Sequence, residues 1–226
     1  MKGLLVKDYR ILMVQAKTLA ILLVVAIIMM FTMESADFVI TYFLMLITIL
    51  SLGTINYDEI DNGMPFIMTL PAKRKTYAIE KYVFTFINCF GSAVVMFLVY
   101  LLTKGFLDWN MTTSEFIGAL IGSLAGMTMI ATVMIPLYLK VPAEKRRIVL
   151  FAFVGIMAVI FFAMNKLSES MQSLDNSVVP FMSQENLIQL AETYSVFIGI
   201  GFAALILLML VISAFLSIRI VEKKEF

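Results

Sequence analysis

The sequence predicts an all-α integral membrane protein with six transmembrane helices and both chain ends in the cytoplasm. Three observations predict it. Of 226 residues, 62% are hydrophobic and 15% are charged, too few polar groups to coat a soluble core. Six uncharged apolar runs lie at about residues 18–33, 38–57, 82–103, 116–139, 148–165 and 193–218. Their lengths suit a hydrocarbon core of about 30 Å, which takes about 20 helical residues to cross. The Lys and Arg residues fall in alternate connections, 15 on one side of the six crossings and only Lys104 and Lys166 on the other. By the positive-inside rule the basic side is cytoplasmic, so the topology is N-in and C-in. The runs leave no room for a soluble domain, and residues 1–226 read as a single transmembrane domain.

Ahead of the first run, MKGLLVKDYRILMVQAK places Leu5, Tyr9, Leu12 and Ala16 at helical spacings on one face, with Lys7, Arg10 and Lys17 on a neighbouring one. This pattern suits an amphipathic helix lying in the membrane interface. It suits the basic flank of the first span equally, because Lys2 intrudes on the apolar face and Leu4 and Ile11 sit elsewhere. No A-x-A-like cleavage site follows, so the first run is expected to be retained.

The second and third runs are joined by YDEIDNG, an apolar stretch MPFIMTLP, and AKRK. Asn62-Gly63 can close one helix, Pro65 can start another at its first position, and Pro71 can start the helix that climbs into the third run. Phe66, Ile67, Met68 and Leu70 would then form an apolar knob just below the membrane, seated in a protein groove, packed under the protein's own bundle or resting in the headgroup layer. Asp58, Glu59 and Asp61 read as a solvated helix end. A calcium loop starting at Asp58 fails, because Ile60 and Thr69 occupy its third and twelfth positions.

In the fourth run Gly118, Gly122 and Gly126 recur every fourth residue, leaving a bare face for another helix, either within the bundle or at a dimer seam. Asn88, Ser92, Ser123 and Thr128 are expected to hydrogen-bond between helices. Residues 166–192 form the one long external connection, in which VVPFM and NLIQL make a short helical lid or pack locally in a solvated loop.

No catalytic set is visible. Cys89 is the single cysteine and histidine is absent, which removes the usual zinc, haem and Cys-His chemistry. There is no G-x-x-x-x-G-K-[ST] phosphate loop. Ionisable residues such as Lys17, Glu115, Lys140, Glu192 and Arg219 lie at run boundaries and none in the interiors, which weighs against an ion-coupled carrier. Eighteen methionines suit a surface that repacks or accepts varied apolar cargo, and serve equally as lipid-facing residues.

YDEIDNGMPFIMTLPAKRKTYAIEKYV, set between the second and third runs, resembles the ABC-2 type transporter permeases. In that family an acidic residue, a short apolar helix, a Leu-Pro pair, a basic Arg-Lys and a Tyr or Lys-Tyr lead into the next span. MKGLLVKDYRIL is similar to the family's N-terminal amphipathic helix, here Leu5, Tyr9 and Leu12, and the six-span layout covers the chain. The subgroup it most resembles exports phenol-soluble modulins and related bacterial peptides. The resemblance implies a half-transporter in the bacterial cytoplasmic membrane, working as a homodimer or with a similar chain. Two separate ATPase subunits would bind ATP and Mg, so this chain would hold no cofactor or metal and would not itself be an enzyme. The cargo would be amphipathic peptides or other lipophilic compounds, moved outward. The family's coupling helix maps onto roughly Glu59 to Arg74, with Glu59, Asp61, Met64, Phe66, Ile67, Met68, Leu70 and Arg74 as ATPase-coupling residues. Rival readings are a non-transport immunity or assembly protein of the membrane and, behind it, an ion-coupled secondary carrier.

Overall fold

A computed structural model describes residues 1–32, 36–59, 63–69, 73–106, 111–173 and 195–224. The described residues form eight α-helices and no strand: α1 (Lys2–Val14), α2 (Ala16–Thr32), α3 (Ala36–Glu59), α4 (Gly63–Thr69), α5 (Arg74–Thr103), α6 (Thr113–Lys140), α7 (Arg146–Ser173) and α8 (Ser195–Lys223), with a 3₁₀ turn at Ala143–Lys145 before α7. Five helices are long and apolar enough to cross a membrane, and α1 and α2 form a pair bent by 64° that brings the number to six if it counts as one span.

Several helices outrun the apolar runs that predict them. α5 begins at Arg74 rather than near residue 82, α7 continues to Ser173, and α8 reaches Lys223. Apolar runs mark where hydrocarbon begins, whereas the backbone ladder continues through charged residues that favour helix and lie at the interface. The expected external lid around residues 178–190 lies outside the described residues.

Residues Met1–Ala143 with Met209–Phe226 make one compact unit and Glu144–Leu208 a second. In the second unit α7 leaves Ile148, Phe151, Val159 and Phe162 exposed, an apolar surface that hydrocarbon solvates and water does not. In the first unit α3 is the central helix, packing on α1, α2, α4, α5 and α6. Its start supplies Val39, Ile40, Phe43 and Leu44 to a core completed by Met96 and Tyr100 of α5 and Phe116 of α6. The Tyr100 and Phe116 rings stack with centroids 4.0 Å apart. α6 starts cleanly because Thr112 accepts from the Glu115 N–H while the Glu115 carboxylate accepts from the Thr112 N–H, a reciprocal cap on two orphan donors.

Several polar groups inside this unit answer one another, although Asp8 Oδ1 and both Glu80 carboxylate oxygens are buried without a hydrogen bond among the described residues. Pro136 has no N–H, so the Thr132 carbonyl one turn earlier in α6 loses its helical donor. Ser213 of α8 supplies the replacement, donating its hydroxyl to that carbonyl. The Tyr82 hydroxyl of α5 lies 2.6 Å from Ser213 Oγ and 2.7 Å from Ser217 Oγ, joining three helices through one polar knot. Of the expected interhelical hydrogen-bonders, Ser123 meets Thr41 at 2.7 Å. Asn88, Ser92 and Thr128 instead bond to carbonyls of their own helices. A side chain within reach of its own preceding turn needs no partner to satisfy itself in lipid.

A Cβ added at Gly118, Gly122 or Gly126 would meet nothing within 4 Å among the described residues, so the glycine face makes no close contact there. α6 turns Phe116, Met127, Ala131 and Ile135 inward instead. On α1 Leu4, Asp8 and Leu12 face inward, with Asp8 finding its partners there, while Leu5 is half-buried and Tyr9 exposed, open to a membrane interface.

Candidate functional site

Five elements meet at one end of the first unit: α1, the last turns of α3 and α6, the first turns of α5, and the last turn of α8. α4 sits among them against the end of α3. Its seat depends on Gly63, where an added Cβ would come within 2.9 Å of the Asp58 carbonyl oxygen. Backbone cannot yield as a side-chain tip can, so glycine is required for the close approach. The expected division of labour, with Gly63 closing one helix and Pro65 opening the next, is therefore replaced by an α4 that begins at Gly63 and carries Pro65 in its first turn, where a missing N–H is harmless.

The α4 residues divide by face. Met64 is 3% exposed and Ile67 7%, three positions apart and both turned into the bundle, whereas Phe66 is 69% exposed. The Thr69 hydroxyl donates to the Phe66 carbonyl at 2.7 Å and tightens the last turn. Met68 lies in the helix, and Asp61 and Leu70 lie outside the described residues. The predicted knob is thus two anchors and one outward aromatic ring.

Beside the start of α4, where Gly63 approaches the Asp58 carbonyl, the structure corrects the reading of Asp58 as a solvated acid. Asp58 is buried, accepting from Lys7 and, at 2.9 Å, from the Tyr77 hydroxyl, and lying 2.6 Å from Lys81 Nζ. Lys81 reaches Asp8 as well, and Lys7 Nζ is 2.9 Å from the other Asp8 oxygen. The Thr54 hydroxyl adds a 3.2 Å bond to Asp8. Helices α1, α3 and α5 are thereby cross-linked by Asp8, Asp58 and Lys81, which water does not reach, and by Lys7, whose side chain is partly exposed. Each partner matters because an ion buried in low dielectric is tolerated only with its counter-ion in place. Glu80 is also buried, with Lys81 Nζ 3.9 Å from its carboxylate.

On the other flank Glu59 is also anchored. Its carboxylate lies 2.6 Å from Lys224 Nζ and accepts the Ala143 N–H at 3.0 Å. Arg74, at the start of α5, donates to the Glu222 and Lys224 carbonyls at 2.9 and 3.2 Å. The structure therefore brings Glu59, Met64, Phe66, Ile67 and Arg74 to one end. The residues missed were Lys7, Asp8, Tyr77 and Lys81. Their signal was available in principle: opposite charges at the facing ends of two adjacent apolar runs and on the helix before the first. Among the described residues no group of three or more His, Cys, Asp or Glu is placed to hold a metal ion.

Apolar helices of spanning length, with charges gathered at one end of the bundle, define a multi-pass membrane protein. The family described as ABC-2 family transporter protein matches residues 3–222, and the chain belongs to that family. No curated protein and no solved structure matches the chain.

Proposed function

We propose that the chain is the permease subunit of an ATP-driven exporter in a bacterial cytoplasmic membrane, with α4 as the coupling helix on which a separate ATPase subunit docks. The observation that carries this reading is the split of α4: Met64 and Ile67 anchor the helix while Phe66, 69% exposed, stands outward at the end where the helices are ion-paired. A single aromatic ring held on a fixed base fits a partner's groove better than water. The 15 to 2 division of basic residues supports placing this end in the cytoplasm, with N-in and C-in topology.

Two permease chains would enclose the path and two ATPase subunits would bind ATP and Mg. The open glycine face of Gly118, Gly122 and Gly126 supports a second copy of the chain, since bare backbone allows close helix approach. Amphipathic peptides or other lipophilic compounds are the cargo class that the family resemblance and the apolar, methionine-rich composition support.

Phe66→Asp tests the docking. A carboxylate pressed into an apolar contact loses its hydration without gaining a partner. Detergent-solubilised Phe66→Asp permease is expected to reach the membrane at the normal level yet fail to capture the ATPase in a pull-down. Full capture with normal export would remove α4 from the coupling role.

A further inference from the structure

We propose that the last turn of α8 is a clasp that fixes the seat of α4, so that α4 leaves the bundle only when Lys224 releases Glu59. Any effect of the clasp on ATPase coupling rests on the reading of α4 above; the clasp itself does not.

The grip on the two flanks of α4 is symmetric. Glu59 ends α3 and Arg74 begins α5, so these two residues flank the segment that carries α4. Both bind the same turn of α8. The Glu59 carboxylate takes the Lys224 ammonium at 2.6 Å, and the Arg74 guanidinium takes the carbonyls of Glu222 and Lys224 at 2.9 and 3.2 Å. Those carbonyls close a helix and have no helical donors of their own, so a cation there is favoured by both hydrogen bonding and the helix dipole. Lys224 does the same for α6, donating to the Leu139 carbonyl at 3.2 Å. Glu59 in turn receives the Ala143 N–H, which ties the end of α3 to the turn after α6.

A shift of the last turn of α8 therefore pulls both flanks of α4 at once. The pair is also suited to opening. The Lys224 and Glu59 side chains are 26% and 12% exposed, shielded enough to be specific and wet enough to separate, unlike the buried Lys81 cluster.

The test reads α4 directly in the full chain, in membrane vesicles without any ATPase. In a Cys89→Ser background, Ile67→Cys places a thiol at a buried α4 anchor, and maleimide labelling of that thiol reports release of the helix. Lys224→Glu is expected to raise the labelling rate several-fold, and Lys224→Arg, which keeps the charge and reach, to leave it near the parent value. Met96→Cys, in the apolar core, is expected to remain unlabelled in both. An unchanged rate in Lys224→Glu would overturn the clasp, as would an equal rise in Lys224→Arg. Labelling of Met96→Cys would overturn it too, by showing general loosening. Because no ATPase is present, these outcomes stand apart from the Phe66→Asp pull-down, which tests the coupling reading alone.

Discussion

The two ends of the first helical unit are held by different forces. At one end Val39, Ile40, Phe43, Tyr100 and Phe116 pack as plain apolar surface. At the other, Asp8, Asp58 and Lys81 form a buried ionic cross-link between three helices, and Glu59, Arg74 and Lys224 form a second, wetter one. Apolar packing tolerates small changes in register, because neighbouring methyl groups can repack. A buried ion pair does not, since a displaced partner leaves an uncompensated charge. The end that must keep a seven-residue helix in place, too short to be stable by itself, is the ionic one.

The largest effect that can break this comparison is loss of Lys81. Lys81→Ala would leave the buried Asp8 and Asp58 carboxylates with Lys7 alone and the buried Glu80 without its lysine, and is expected to lose about 3–5 kcal/mol of stability. Thermal unfolding in detergent would show it as a large drop in midpoint. Removing the buried charges together, as Asp8→Asn, Asp58→Asn, Glu80→Gln and Lys81→Met, should recover much of that loss, because what destabilises is an unpaired buried ion rather than a missing bond. Lys81→Ala with an unchanged midpoint would mean that the cluster holds nothing.

At the apolar end Phe116→Ala is expected to cost less, about 2 kcal/mol, because helices already in lipid lose packing without regaining water contact. Its effect should not respond to salt or to changes at Lys81, more than one membrane half away along the chain's helices. Smaller still is the polar knot. Ser213→Ala should cost about 1 kcal/mol by stranding the Thr132 carbonyl, and in a Pro136→Ala background, where that carbonyl regains a helical donor, the same substitution should cost almost nothing. Equal losses in both backgrounds would show that Ser213 acts through Tyr82 alone.

The spans were legible in the sequence because hydrocarbon imposes a length and forbids unpaired charge, which leaves long uncharged runs such as residues 38–57. α4 was legible from the punctuation of MPFIMTLP. What could not be read was where polar residues find partners. Asp58 looks solvated because its acidic neighbours crowd the same run, yet its counter-ions come from α1 and α5. Glu59 and Lys224 are 165 positions apart, beyond any local pattern. Gly63 resembles a helix closer, and only the 2.9 Å approach to the Asp58 carbonyl reveals its use. The Gly118, Gly122 and Gly126 spacing marks a bare face but not which way it turns.

Under the proposed coupling role, a separate ATPase would engage the ionic end through α4. In a Cys89→Ser permease co-expressed with its ATPase, a thiol can be placed at Phe66 on α4 or at Phe106, which is 92% exposed beyond the opposite end of α5. A short thiol-to-amine cross-linker applied to membranes is predicted to join the ATPase to Phe66→Cys and not to Phe106→Cys. Cross-linking through position 106, or none through position 66, would contradict the account.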